Sequence, residues 1–115
     1  MSFALLITCE GAVAEIDLPE EDKERATVYR SVLRCRAFDV VCLTSRLDMW
    51  LDDEGLFNHP VNPLATMLAK RHGFDHQTYH GPVLLTGSAD EEGDTLPLTR
   101  EQMAAHLSAL LEIVH

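Results

Sequence analysis

The chain has 115 residues, of which 46% are hydrophobic, and this composition predicts one folded domain over residues 1–115 rather than a disordered chain. A formal net charge of −10 disfavours direct binding to nucleic acid or anionic lipid, because those contacts need Lys and Arg. No stretch approaches the roughly 20 apolar residues of a membrane helix, and the N-terminus lacks a basic signal-peptide leader, so we expect a cytoplasmic protein.

The N-terminal part of the chain predicts a β-hairpin followed by a helix. Residues 3–9 are apolar, Glu10-Gly11 forms a turn, and residues 13–18 alternate in the pattern of a half-buried strand. Pro19 then begins a helix whose first turn is acidic, as the positive end of the helix dipole favours.

A second strand pair is predicted next. Residues 38–43 are rich in β-formers, and residues 44–46 turn the chain into a strand over residues 47–51. Trp50 on this strand is either a surface aromatic that anchors a partner or a side chain packed beneath a helix, and the usual burial of Trp favours packing. The acidic residues 52–55 predict another hairpin turn, in which Gly55 would supply the positive φ.

The middle of the chain predicts a short helix and a buried strand. Asn62 suits the N-cap of that helix, Pro63 suits its first position, and Gly73 ends it. Residues 83–86 have the composition of a buried strand.

The C-terminal part predicts an acidic hairpin turn at residues 90–94 and an edge strand at residues 95–98 that tolerates Pro97. Thr99 caps a final helix, with Gln102 at capping-box spacing. The element order ββ-α-ββ-α-ββ-α predicts a single α+β domain. Its sheet would be mostly antiparallel or mixed, built from successive hairpins, with about three helices packed on it.

The histidines form the one metal-like pattern in the sequence. His72, His76 and His80 are spaced four apart with Asp75 between them, and histidines one helical turn apart can share a Zn²⁺ ion. Gly73 interrupts a continuous helix, so a loop would have to gather His76, His80 and Asp75 as ligands. The alternatives are exposed loop histidines or a pH-sensitive surface.

Motifs for covalent or cofactor chemistry are missing from the sequence. No serine lies in a G-x-S-x-G motif, the six glycines form no phosphate loop, and the three cysteines form no C-x-x-C pair. We therefore expect a protein that is not an enzyme and needs no cofactor.

The acidic residues fall in three clusters, at residues 15–24, 48–54 and 90–94. Such clusters keep a small protein soluble, and they also suit a basic partner. The candidate partner-binding residues are Asp90, Glu91, Glu92, Asp94 and Trp50.

Several short segments resemble a known family. They are Asp52-Asp53-Glu54-Gly55, Asn62-Pro63-Leu64-Ala65-Thr66 and Gly81-Pro82-Val83-Leu84-Leu85-Thr86-Gly87. The chain resembles a family of small uncharacterised domains of unknown function that is common in actinobacterial phages, plasmids and genomes. The resemblance implies a mobile-element context and a cytoplasmic location, and it assigns no activity and no catalytic residues.

Three functions follow from these observations. The leading hypothesis is a small soluble accessory protein of a phage or mobile element that binds an unidentified host or phage protein. The first alternative is an acidic nucleic-acid mimic that inhibits a host DNA-binding or defence protein. The second alternative is a metal-binding protein that uses the loop from His72 to His80.

Overall fold

The computed structural model describes residues 3–114, and within them the chain folds into five strands and four helices. The strands are β1 (Phe3–Ile7), β2 (Val13–Asp17), β3 (Phe38–Thr44), β4 (Leu47–Asp52) and β5 (Val83–Thr86). The helices are α1 (Asp22–Leu33), α2 (Gly55–Asn58), α3 (Pro63–Arg71) and α4 (Arg100–Val114). The strands pair in the order β2-β1-β5-β4-β3, and every neighbouring pair is antiparallel. The predicted α+β class is therefore confirmed.

The sheet carries a hydrophobic core on each of its two faces. Successive side chains of a strand point to opposite faces, so Leu84 of β5 joins one core and Leu85 joins the other. The core around Leu84 is closed by α1 through Tyr29 and Leu33. The opposite core is closed by side chains of α3 and α4, among them Leu68, Met103 and Leu110. Strand β5 lies in the middle of the sheet and is buried along its whole length, as its composition predicts.

Two helix starts follow the predicted capping chemistry. Asn62 Oδ1 accepts a hydrogen bond from the Ala65 N–H at 3.1 Å, and Pro63 is the first residue of α3. Thr99 and Gln102 form a reciprocal capping box at the start of α4, with N···O distances of 2.9 and 3.0 Å. Among the helices described over residues 3–114, none is long and apolar enough to cross a membrane.

The predicted edge strand at residues 95–98 is not a regular strand. Thr95 bridges Ala89 and Leu98 bridges Phe3, each through an isolated antiparallel contact. Pro97 interrupts the segment because it has no N–H to donate. The Thr95 carbonyl also accepts a 2.6 Å hydrogen bond from the buried guanidinium of Arg25. The segment is therefore held by scattered contacts rather than by a ladder.

The prediction of a hairpin turn at residues 52–55 is wrong. These residues lead from β4 into α2, and Gly55 is not among the glycines with positive φ. Gly55 is required for space instead, because a Cβ atom there would lie 2.7 Å from the carbonyl oxygen of His80. The glycine thus allows α2 to lie against the segment that precedes β5.

Candidate partner-binding site

The acidic turn at residues 90–94 is exposed, and Asp90 differs in role from its neighbours. The carboxylate of Asp90 accepts hydrogen bonds from the N–H groups of Glu92 and Asp94, both at 2.9 Å. Gly93 supplies the positive φ of 87° that closes the turn. Asp90 therefore holds the turn, while the exposed carboxylates of Glu91, Glu92 and Asp94 face solvent. Their role in partner binding stays a prediction.

Trp50 packs beneath α1 and is half-buried. Its ring stacks on Tyr29 with centroids 4.9 Å apart, and it meets Phe38 edge-on at 5.6 Å. The indole N–H donates a 2.8 Å hydrogen bond to Thr86 Oγ1. Of the two roles considered for Trp50, the structure shows packing, and a role of its exposed part in partner binding stays a prediction.

The histidine loop divides between two regions of the surface. Asp75 and His76 line one cavity beside α3, whereas His80 lines another cavity beside α2. His80 Nδ1 donates to the His59 carbonyl at 3.1 Å, and its Nε2 lies 2.9 Å from the Thr78 hydroxyl oxygen. Within residues 3–114, no group of three or more His, Cys, Asp or Glu side chains is arranged to hold a metal ion. As a ligand through Nε2, His80 would first have to release Thr78, and metal binding here stays a prediction.

The corner where β4 meets α2 is built around the carboxylate of Asp52, which is only 4% exposed. Its Oδ1 accepts the Glu54 N–H at 2.9 Å, and its Oδ2 accepts the Asn58 amide at 3.2 Å. His59 Nε2 lies 3.0 Å from the same Oδ2. These contacts satisfy a buried carboxylate and fix both ends of the four-residue helix α2.

The side chains that α2 presents to solvent are apolar. Leu56 is 69% exposed and Phe57 is 84% exposed, and the two are adjacent in sequence. Within the described residues, neither belongs to a core of the sheet. We call this pair the apolar tip. The apolar tip is thus a small exposed apolar patch on a turn of helix that the Asp52 contacts hold.

Sequence reasoning did not identify the apolar tip. The available signal was a Leu-Phe pair with polar, turn-forming residues on both sides. Such a pair belongs neither to the alternating apolar pattern of a strand nor to the 3.6-residue apolar pattern of a helix. Such a pair is either the end of a buried element or an exposed anchor, and only the position of α2 distinguishes the two.

The Asp52–His59 pair also has the form in which enzymes orient a general base. The His59 side chain is 13% exposed, and Nε2 faces Asp52. Within residues 3–114, no hydroxyl or thiol is hydrogen-bonded to the other ring nitrogen of His59. Gly81 lies against the ring so closely that a Cβ atom there would be 2.7 Å from Cδ2. The Asp52–His59 contact joins the end of β4 to the residue that follows α2.

The fold and the site define a small α+β domain that presents a fixed apolar tip on an acidic surface. Residues 1–112 match the family described as a domain of unknown function (DUF3846), and the chain belongs to this family. The resemblance to a domain-of-unknown-function family is confirmed at that level. No curated protein and no solved structure gives a significant match.

Proposed function

We propose that this protein is a non-enzymatic binding module whose apolar tip contacts a basic surface of another protein. The observation that carries this proposal is the 84% exposure of Phe57 beside the 69% exposure of Leu56. Burial of a Leu or Phe side chain yields about 1.5–3 kcal/mol. A partner with an apolar socket therefore gains from covering both residues, and aromatic anchors of this kind dominate many protein interfaces.

The rigidity of α2 supports the same function. Binding loses free energy when it must order a flexible segment. Here the Asp52 carboxylate already holds Glu54 and Asn58, and the His59 N–H donates to the Gly55 carbonyl at 2.9 Å. The apolar tip is therefore preorganised before a partner arrives.

Charge defines the chemistry of the partner. Asp39, Asp53 and Glu54 are exposed near the apolar tip, and the whole chain carries a formal charge of −10. Such a field accelerates encounter with a basic surface and opposes contact with a second copy of the same chain. We further propose a cytoplasmic partner from a host or phage, in keeping with the mobile-element context that the family resemblance implies.

The test is capture of proteins from an actinobacterial lysate by the wild type and by two matched variants. Phe57→Ser removes the anchor, and Leu111→Ser removes a side chain that is 60% exposed on α4. We expect one protein that binds the wild type and Leu111→Ser equally and is lost from Phe57→Ser. Equal capture by all three would contradict the proposal.

Salt and charge variants separate this function from nucleic-acid mimicry. A mimic would lose its partner steeply with increasing salt and on neutralisation of acids at residues 90–94, while Phe57→Ser would leave capture unchanged. Binding through the apolar tip shows the opposite pattern, with a modest salt effect and a strong Phe57 effect.

A further inference from the structure

We propose that the cavity beside α2 receives an arginine side chain of the partner, an inference that rests on the proposed function. The cavity has a volume of about 250 Å³. Sites for drug-sized ligands and cofactors have volumes of roughly 300–1,000 Å³. This cavity lies just below that range and has room for one long side chain.

The cavity is lined by apolar and polar residues together, and two exposed carboxylates are among them. Val41, Leu51 and Leu56 line it from β3, β4 and α2. Asp39 lies directly opposite Leu51 in the β3–β4 register, so a carboxylate stands beside an apolar wall. Asp53 adds a second exposed carboxylate. An arginine side chain is complementary to this lining, because its aliphatic stem is apolar and its guanidinium is positively charged.

Hydrogen-bonding capacity also selects a cation over an anion. Asp39 Oδ1 accepts the N–H of Val40 at 2.8 Å, which fixes the carboxylate, and no hydrogen bond within residues 3–114 uses its Oδ2. Both ring nitrogens of His80 are already engaged, Nδ1 by the His59 carbonyl and Nε2 by the Thr78 hydroxyl, so neither is free for an anion. Among the described residues, no lysine or arginine lines the cavity. The cavity therefore offers exposed carboxylate acceptors to a donor-rich cation.

The apolar tip and the cavity form one continuous surface. Leu56 lines the cavity, and its neighbour Phe57 points away from either core of the sheet. A partner that places an aromatic socket over Phe57 thus brings its adjacent residues to the cavity. The matching motif on the partner is an arginine beside an apolar depression.

The test uses the ¹⁵N-labelled full chain and a small probe, N-acetyl-arginine-N-methylamide, in an NMR titration. We expect shifts of the backbone amides of Val41, Asp53 and Leu56 with a Kd of about 1 mM. The neutral isostere N-acetyl-citrulline-N-methylamide should produce none of them. The Asp39→Asn/Asp53→Asn variant should bind the arginine probe about fivefold more weakly.

A matched control removes the same charge elsewhere. Glu91→Gln/Glu92→Gln neutralises two exposed acids on the turn at residues 90–94 and should leave probe binding at the wild-type level. No shifts, equal shifts with the citrulline probe, or shifts centred on residues 90–94 would each overturn the proposal. Loss of probe binding in the Glu91→Gln/Glu92→Gln control would overturn it as well.

The two proposals fail separately in these experiments. Phe57 does not line the cavity, so Phe57→Ser should bind the arginine probe like the wild type. If capture depends on Phe57 but the arginine probe does not bind, the proposed binding function stands and the proposed arginine site is wrong. If the probe binds at the cavity but capture does not depend on Phe57, the proposed role of the apolar tip as the contact surface is wrong.

Discussion

Asp52 Oδ2 lies 3.0 Å from His59 Nε2, and this contact joins the end of β4 to the residue that follows α2. The same carboxylate also accepts from Glu54 and Asn58. Asp52→Ala would remove three part-buried contacts made by a buried carboxylate, at a cost of about 3 kcal/mol in the free energy of unfolding. Urea unfolding measures that loss, and capture by the same variant should weaken because the apolar tip loses its support.

The neighbouring acid provides the control for Asp52. The side chain of Asp53 is exposed and makes no hydrogen bond within residues 3–114, although its N–H donates to the Ala37 carbonyl. Asp53→Ala should therefore change the free energy of unfolding by less than about 0.5 kcal/mol. Equal losses for Asp52→Ala and Asp53→Ala would show that the buried network contributes nothing to stability.

Much of the fold was predictable because its signals are local. The N-cap role of Asn62 and the Thr99–Gln102 capping box depend on residues three apart, and both are present in the structure. The alternation of residues 13–18 likewise places Ile16 and Leu18 on the core face of β2 and the segment that follows it. Local chemistry of this kind does not require knowledge of the strand order.

The candidate site was not predictable because its causes are distant in sequence. The sequence around Gly55 is typical of a turn, yet glycine is required there because the carbonyl of His80 leaves no space for a Cβ atom. The Asp52 carboxylate reads as one of several surface acids, and only the approach of His59 and Asn58 shows that it is buried. Hydrophobic periodicity and secondary-structure propensity carry no information about such contacts. For this reason the sequence predicted a hairpin turn at residues 52–55 and did not predict α2.

Substitutions at Gly81 and Gly93 distinguish the cost of backbone strain from the cost of a steric clash. Their φ values are 86° and 87°, so Ala at either position incurs the same left-handed strain, about 1 kcal/mol. A Cβ atom at Gly81 would lie 2.7 Å from Cδ2 of His59, whereas nothing lies within 4 Å at Gly93. We expect Gly81→Ala to destabilise the protein by about 2 kcal/mol more than Gly93→Ala in urea unfolding. Equal losses would show that the His59 ring moves aside at no cost.

Asp48 is a buried acid that reduces stability at neutral pH. It is 6% exposed, and its Oδ1 has no hydrogen-bond partner among the described residues. Burial raises the pKa of the Asp48 carboxyl, and a hydrogen bond from the Cys42 thiol offsets part of this rise. The folded state therefore binds the proton more tightly than the unfolded chain does. The contribution of Asp48 to stability is complete below the unfolded pKa of about 3.9 and is lost as the pH rises through the folded pKa.

Removal of that charge should stabilise the protein. We expect Asp48→Asn to increase the free energy of unfolding at pH 7 by about 1 kcal/mol, and the gain should shrink towards pH 3. Thermal unfolding of the wild type and the variant across this range measures the difference. Asp53→Asn removes the same charge at an exposed site and serves as the control. A gain that is equal for both variants would assign the effect to net charge rather than to burial.

His106 on α4 makes stability depend on pH in the opposite direction. Burial lowers the pKa of His106, and the nearby His72 at the end of α3 lowers it further. The folded state therefore binds fewer protons than the unfolded chain, so this contribution to stability is complete above the unfolded pKa of about 6.5. It is lost as the pH falls through the folded pKa. Arg71 of α3 pairs with Glu112 of α4 at 3.1 Å, so these two opposite charges offset each other.

Two substitutions test this dependence. His106→Gln should lose less stability than the wild type between pH 7.5 and pH 5, as measured by urea unfolding at each pH. His72→Gln should reduce the loss of stability with falling pH by a smaller amount, because burial is the larger cause of the lowered pKa of His106. A slope for His106→Gln that equals the wild-type slope would contradict this account.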